Sequence, residues 1–257
     1  LIDVKEDGSF RLNMKYFNFA TGLTMTNERF SKLFGQKVRD PSKELLTQFH
    51  MDIASSIQVV IETIIIKLVT SIQKETKIKN LCLAGGVALN CVANGKILKK
   101  KVFENLWIQP AAGDAGGSLG AALAYWHQEL LQPRKSNGNI DKMNGSYLGP
   151  KFDDSSIEKN LISLGAKFKK YNNEELINRV ASELKNEKID GWFQGRMEFG
   201  PRALGGRSII ADPRSEKMQK NLNLKIKFRE SFRPFAPSIL REDLAKWFDL
   251  DCDSPYM

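Results

Sequence analysis

The chain has 257 residues, 42% of them hydrophobic and 27% charged, which suits a folded core and argues against wholesale disorder. Its 39 Lys and Arg against 30 Asp and Glu give a net charge of +9, so an anionic partner fits. Three cysteines (Cys82, Cys91, Cys252) form no CxxC pair, and no secretory leader opens the chain, so a reducing cytoplasm is expected and a disulfide framework is not.

Residues 1–40 show only short apolar pieces. From Phe49 the pattern sharpens: Ile53, Ile57, Val60, Ile61, Ile64, Leu68 and Ile72 recur at spacings of three and four, which predicts a long helix with one buried stripe. Its most apolar part, Val59 to Val69, is broken by Glu62 and Lys67 and is shorter than the roughly 20 residues a membrane span needs, so no membrane is expected. Leu81 to Ala84 reads as a buried strand ending at Gly85-Gly86, followed by a helix over Val87 to Leu98 that closes in the solvated Lys99-Lys100-Lys101. A second strand, Leu106 to Gln109, stops at Pro110, and a glycine-rich turn leads into a small-residue helix over Ser118 to Leu131. Strand, glycine turn and helix, twice over, imply a mostly parallel sheet with its ligand at the carboxyl edge. Pro, Ser, Asn, Gly and Lys crowd the following segment, and a linker is read over 136–145, dividing a first domain (1–135) from a second (146–257). In the second, Leu176, Val180 and Leu184 mark a helix and Ile189 to Phe193 a strand.

Three constellations carry chemistry. Gly85-Gly86, with Asn90 beyond it, can bring backbone N–H groups to a phosphate or ribose, or can simply form a tight turn. Asp114, between Gly113 and Gly116-Gly117, can be a helix N-cap or a metal ligand. Gly116 and Gly120 suit close helix packing, since neither the dinucleotide fingerprint nor the phosphate-loop spacing is present. The third is Gly195 to Ser208, with Arg196, Arg202 and Arg207 set among glycines, and Arg214, Lys225, Lys227, Arg229 and Arg233 beyond. Between Gly191 and Arg233, ten basic residues face four acidic ones. Guanidiniums in a glycine frame suit bidentate capture of phosphate or carbamate oxygens, whereas a solvated helix face would alternate Lys with Glu. Regularly spaced stacking aromatics are absent here, so nucleic acid is not the expected partner. His50 and His127 read as structural, and the cysteines as core residues.

The stretches LAGGVALNCVANGKI (83–97), IQPAAGDAGGSLGAAL (108–123), GWFQGRMEFGPRALGGRSIIADPR (191–214), IKFRESFRPFAPSIL (226–240) and SPYM (254–257) resemble the ATP-dependent O-carbamoyltransferases, the family of nodulation protein U and the antibiotic carbamoyltransferases. The resemblance implies an α/β fold: the C-terminal half of an actin-like ATPase domain, similar to tRNA-threonylcarbamoyl-transferase, then the first part of a YrdC-like domain. It implies that carbamoyl phosphate and ATP give carbamoyladenylate in the second domain, and that the first passes the carbamoyl group to a hydroxyl of a small acceptor. The implied cofactors are ATP with Mg2+ and a divalent metal, Fe2+.

By the same resemblance Asp114 is a metal ligand, and Gly85, Gly86 and Asn90 belong to a nucleotide loop. Arg196, Arg202, Arg207, Ser208, Lys227, Arg229 and Arg233 form the basic pocket, with Arg202, Arg207, Lys227 and Arg229 catalytic. Gly206 departs from the pattern, which usually has asparagine there. The chain starts at Leu1 and lacks the stretches that would carry histidine metal ligands, so a fragment truncated at both ends, impaired by itself, is expected. A tRNA-threonylcarbamoyladenosine modification factor and a non-catalytic nucleotide- or RNA-binding module are the alternatives. A homodimer is among the open oligomeric states.

Overall fold

The computed structural model describes residues 1–135 and 141–257, which divide into two compact units, Leu1–Gln109 and Pro110–Met257.

The first unit opens with an antiparallel hairpin of β1 (Ile2–Val4) and β2 (Phe10–Leu12), then the short helix α1 (Glu28–Phe34). The expected long helix is α2 (Gln48–Thr76). Its first turn is closed by the Thr47 N–H, which donates to His50 Nδ1 at 3.0 Å, so His50 is structural as read. The hairpin turn lies on this helix, because a side-chain carbon at Gly8 would fall 2.4 Å from the Leu68 nitrogen. Strand β3 (Asn80–Leu83), helix α3 (Cys91–Lys100) and strand β4 (Asn105–Ile108) follow. β3 and β4 pair in parallel, Cys82 opposite Trp107, as strand–helix–strand alternation requires. Ile64 and Val69 of α2 and Ala93 and Ile97 of α3 are buried, and burying an aliphatic side chain of this size contributes roughly 1.5–3 kcal/mol.

Two expectations change here. By length and composition α2 would suffice to cross a membrane, with a mean hydropathy of 1.7 over 18 residues. The isolated charges that break the apolar run do not exclude this, although Glu62 and Lys67 are paired with Lys96 and Glu6. Cys82 and Cys91, expected in the core, are exposed.

The second unit begins with Pro110 to Gly113 and helix α4 (Asp114–Ala124), whose last turn loosens over Tyr125–Glu129. The helix therefore starts four residues earlier than the sequence suggested. Gly116 is needed for packing as expected, since a side-chain carbon there would meet the Ala111 carbonyl oxygen at 2.0 Å, whereas Gly120 faces open space. Of the expected linker, residues 136–140 lie outside the described residues, while Met143 is buried and Asp141 and Gly145 are hydrogen-bonded to Tyr256. Helices α5 (Asp154–Ser163) and α6 (Asn173–Lys185) lead to the antiparallel hairpin of β5 (Ile189–Phe193) and β6 (Arg207–Ala211). α6 starts with a reciprocal cap, in which Asn172 Oδ1 accepts from the Glu175 N–H at 2.9 Å and Glu175 Oε2 from the Asn172 N–H at 3.3 Å. The short helices α7 (Met218–Asn221) and α8 (Leu244–Trp247) complete the unit.

Candidate anion-binding site

The arginine–glycine segment is the loop of the β5–β6 hairpin. Its root is closed by the Gln194 N–H donating to the Gly206 carbonyl at 2.9 Å. Residues 146–151 run beside it and hydrogen-bond to it as a further strand would: Gly149 N–H to Met197 O at 2.9 Å, Met197 N–H to Pro150 O at 3.0 Å and Phe199 N–H to Ser146 O at 2.7 Å. Tyr147 reaches across to donate its hydroxyl to the Leu204 carbonyl. Between the two segments lies an open cavity of about 470 Å³, lined by Tyr147, Lys151, Gln194, Gly195, Arg196 and Gly206. It presents an ammonium, a guanidinium, a carboxamide and a phenol, a donor set for a phosphorylated ligand. Arg196 is steadied by donating to the Gly149 carbonyl at 2.9 Å.

Of the residues read from sequence, Gly195, Arg196 and Gly206 line this cavity, and of the expected binding side chains only Arg196 does. Arg207 is directed inward. Its Nε donates to Glu198 Oε2 at 3.2 Å, and its Nη2 donates to the carbonyls of Glu198 and Gly200 at 3.3 and 2.9 Å. The Glu198 side chain is wholly shielded from solvent. Burial raises its pKa, but hydrogen bonds from the backbone of Leu204, Gly206 and Arg207 outweigh that, and the net shift is downward. Ser208 ties the same loop by accepting from the Gly205 N–H at 2.9 Å, and Arg202 is half-buried within it.

Lys227, Arg229 and Arg233 belong to a separate turn built on Asn223, which is fully buried. Asn223 Nδ2 donates to the carbonyls of Ser231 and Arg233 at 3.1 and 2.8 Å, and its Oδ1 accepts from Arg229 Nε at 2.6 Å. Arg229 also stacks 4.9 Å from the centre of the Phe235 ring, and Arg233 pairs with Glu230 at 2.8 Å. The Lys227 N–H closes the preceding turn on Leu222 O at 2.9 Å. Glu198, Asn223, Tyr147, Lys151 and Gln194 escaped the sequence reading. The one available signal was Glu198, the only acid between Gly195 and Ser208.

In the first unit, Gly85 adopts φ 92°, a glycine conformation, and leads into a tight turn over Gly86–Leu89. Asn90 stands between that turn and α3 as the helix N-cap, accepting from the Ala93 N–H at 3.1 Å. Its carboxamide also pairs with that of Gln58, Nδ2 donating to Gln58 Oε1 at 3.0 Å. The expected helix from Val87 is thus interrupted at Asn90.

Asp114 is the exposed first residue of α4, with Gly113 as the cap. Among the described residues no group of three His, Cys, Asp or Glu side chains could hold a metal ion. Asp114 is a single donor, and these residues do not make an iron site.

The family description "Carbamoyltransferase N-terminus" matches residues 1–123 and "Carbamoyltransferase C-terminus" matches residues 181–257. An uncharacterized protein of Synechocystis is 58% identical over 259 residues, covering 100% of this chain and 42% of its own length. Nodulation protein NolNO of Sinorhizobium fredii is 42% identical over 207 residues, covering 79% of this chain and 29% of its own. Nodulation protein U of Rhizobium fredii is 34% identical over 179 residues, covering 70% and 28%. The chain spans less than half the length of these relatives. With matching descriptions at both ends and the arginine–glycine hairpin inside the second, the chain belongs to the carbamoyltransferase family.

Proposed function

We propose that this chain is part of an ATP-dependent O-carbamoyltransferase and that its second unit binds the anionic substrates of carbamoyladenylate formation. The observation that carries the reading is the cavity beside the β5–β6 loop, where Lys151 and Arg196 face one space with Gln194 and Tyr147. The chemistry balances in three steps. Carbamoyl phosphate loses its phosphate to water, leaving carbamate. A carbamate oxygen displaces pyrophosphate at the α-phosphorus of ATP, giving carbamoyladenylate. The acceptor hydroxyl then attacks the carbamoyl carbon, AMP leaves, and the hydroxyl proton passes to base. The first two steps gather negative charge, and fixed cations such as Lys151 and Arg196 favour that transition state without reorganising. The first unit is taken as the actin-like part by the resemblance alone; its parallel β3–β4 pair and glycine turn are features that α/β folds share widely. The acceptor is a small hydroxyl compound.

The test is pyrophosphate release from ATP by the whole natural protein, with and without carbamoyl phosphate, for the wild type and Lys151→Gln. Release that depends on carbamoyl phosphate and falls at least tenfold in the variant is the expected result. No dependence in a folded wild-type protein would overturn the reading, and salt-sensitive binding of tRNA would then favour a role in tRNA modification.

A further inference from the structure

A fully shielded carboxylate at the centre of the most basic loop needs an explanation, because burying a charge is costly unless every lone pair finds a donor. Glu198 meets that condition. Oε1 accepts from the N–H groups of Leu204, Gly206 and Arg207 at 2.6, 2.8 and 3.4 Å, and Oε2 accepts from Arg207 Nε at 3.2 Å. Arg207 closes the ring by donating to the Glu198 and Gly200 carbonyls. One side chain thereby fixes both ends of the loop from Glu198 to Arg207.

Two contacts carry this to the cavity. Gly206, whose N–H Glu198 holds, is a cavity wall. A side-chain carbon at Gly206 would lie 3.2 Å from Glu198 Cδ and 2.6 Å from the Arg196 carbonyl oxygen, so the glycine is wedged between the buried acid and the backbone of the cavity's guanidinium residue. The Glu198 carboxylate and the Arg196 backbone thus meet at the same glycine.

We propose that Glu198 is a positioning residue: by gripping Gly206 and pairing with Arg207 it sets the place of Arg196 in the anion cavity, and Arg207 serves as its counter-ion rather than as a substrate ligand. This rests on the reading of the cavity as the ATP and carbamoyl phosphate site. Glu198→Gln keeps the shape but removes the charge and opposes an amide N–H to one of the donors now bonded to Glu198.

The experiment uses the whole natural protein, wild type, Glu198→Gln and Arg207→Lys. Three quantities are read: amide hydrogen exchange at Leu204, Gly206 and Arg207, the Kd for ATP, and KM and kcat for carbamoyl-phosphate-dependent pyrophosphate release. The expected result for Glu198→Gln is faster exchange confined to those amides, with KM or Kd raised by up to about tenfold, the effect of losing Arg196 itself, and a smaller change in kcat. Arg207→Lys keeps the charge but loses the fork, and should show the same direction at smaller size.

Faster exchange with unchanged KM and Kd would reduce Glu198 to a purely structural residue and overturn the proposal, as would unchanged exchange. Loss of kcat alone in Arg207→Lys would return Arg207 to the reacting groups and overturn it too. If the wild type releases no pyrophosphate, the functional reading fails separately, and the ATP Kd of wild type against Glu198→Gln decides whether Glu198 positions the cavity. No ATP binding by the wild type would end both.

Discussion

Gly200 lies against Ala111: a side-chain carbon on the glycine would sit 3.3 Å from both the Cα and the Cβ of Ala111, and the glycine itself adopts φ 125°. Ala111 is completely buried, so it has nowhere to retreat. Gly200→Ala should therefore destabilise the second unit by about 1–3 kcal/mol through backbone strain and crowding together. Urea unfolding is the check, with a lowered midpoint and an unchanged slope expected.

Arg196 and Arg207 separate binding from stability. Arg196 lines the cavity and makes one exposed hydrogen bond to a carbonyl, so Arg196→Gln should cost less than about 1 kcal/mol of stability. It should weaken ATP binding about tenfold, which corresponds to about 1.4 kcal/mol. Arg207→Gln leaves a buried carboxylate without its cation. With 38% of the Arg207 side chain still exposed to solvent, the expected loss is about 1–3 kcal/mol, below that of a fully buried pair. Melting curves and calorimetric titration with ATP, run side by side, distinguish the two outcomes.

Asn223 holds the second arginine turn from inside. Asn223→Ala removes the partner of Arg229 Nε and of the Ser231 carbonyl, while the Arg233 carbonyl keeps its bond from Gln219 Nε2 at 3.1 Å, and each group left unpaired costs up to about 1–3 kcal/mol unless water replaces the partner. The expected result is a turn that opens locally, seen as new trypsin cleavage after Lys227 or Arg229 while the β5–β6 hairpin stays resistant. Cleavage unchanged from wild type would show that the turn holds without it.

Tyr256 supplies a pH dependence. Burial, with hydrogen bonding to Asp141, pushes its phenol up to about 12 from an ordinary value of 10. The folded state thus favours the neutral phenol. Its contribution is complete below pH 10 and is lost as pH rises through about 12. Tyr256→Phe should cost about 1 kcal/mol at neutral pH and flatten the alkaline fall in stability between those values. Asp212 works in the opposite sense: hydrogen bonds from Arg214 lower it from 3.8 to about 2, so its contribution is present above pH 3.8 and lost as pH falls through about 2. An NMR titration of Asp212 in Arg214→Ala should return the carboxyl toward its ordinary value.

Periodicity and punctuation made α2, β3, β4, α6 and β5 legible, since each rests on local spacing that the chain cannot satisfy otherwise. The helix after Gly86 was harder, because Val87 to Leu98 is apolar enough to read through the break that Asn90 imposes with its cap to Ala93. The basic pocket was half legible. Composition marked the segment, but a sequence does not say which way an arginine turns, and Arg207, Arg229 and Arg233 turn toward partners in their own loops. Lys151 was invisible as a site residue because only the pairing of residues 149–151 with 196–197 brings it there.

Gly149 and Gly206 press on consecutive carbonyls from separate segments: a carbon added at Gly149 would meet Met197 O at 2.8 Å, and one at Gly206 would meet Arg196 O at 2.6 Å. The two positions therefore share one clearance across the chain at Arg196–Met197. A lineage carrying asparagine at the position of Gly206 must route this backbone differently, and in evolution the two sites are expected to drift as a pair. Gly206 can then serve as a marker for sorting relatives by the path of this loop.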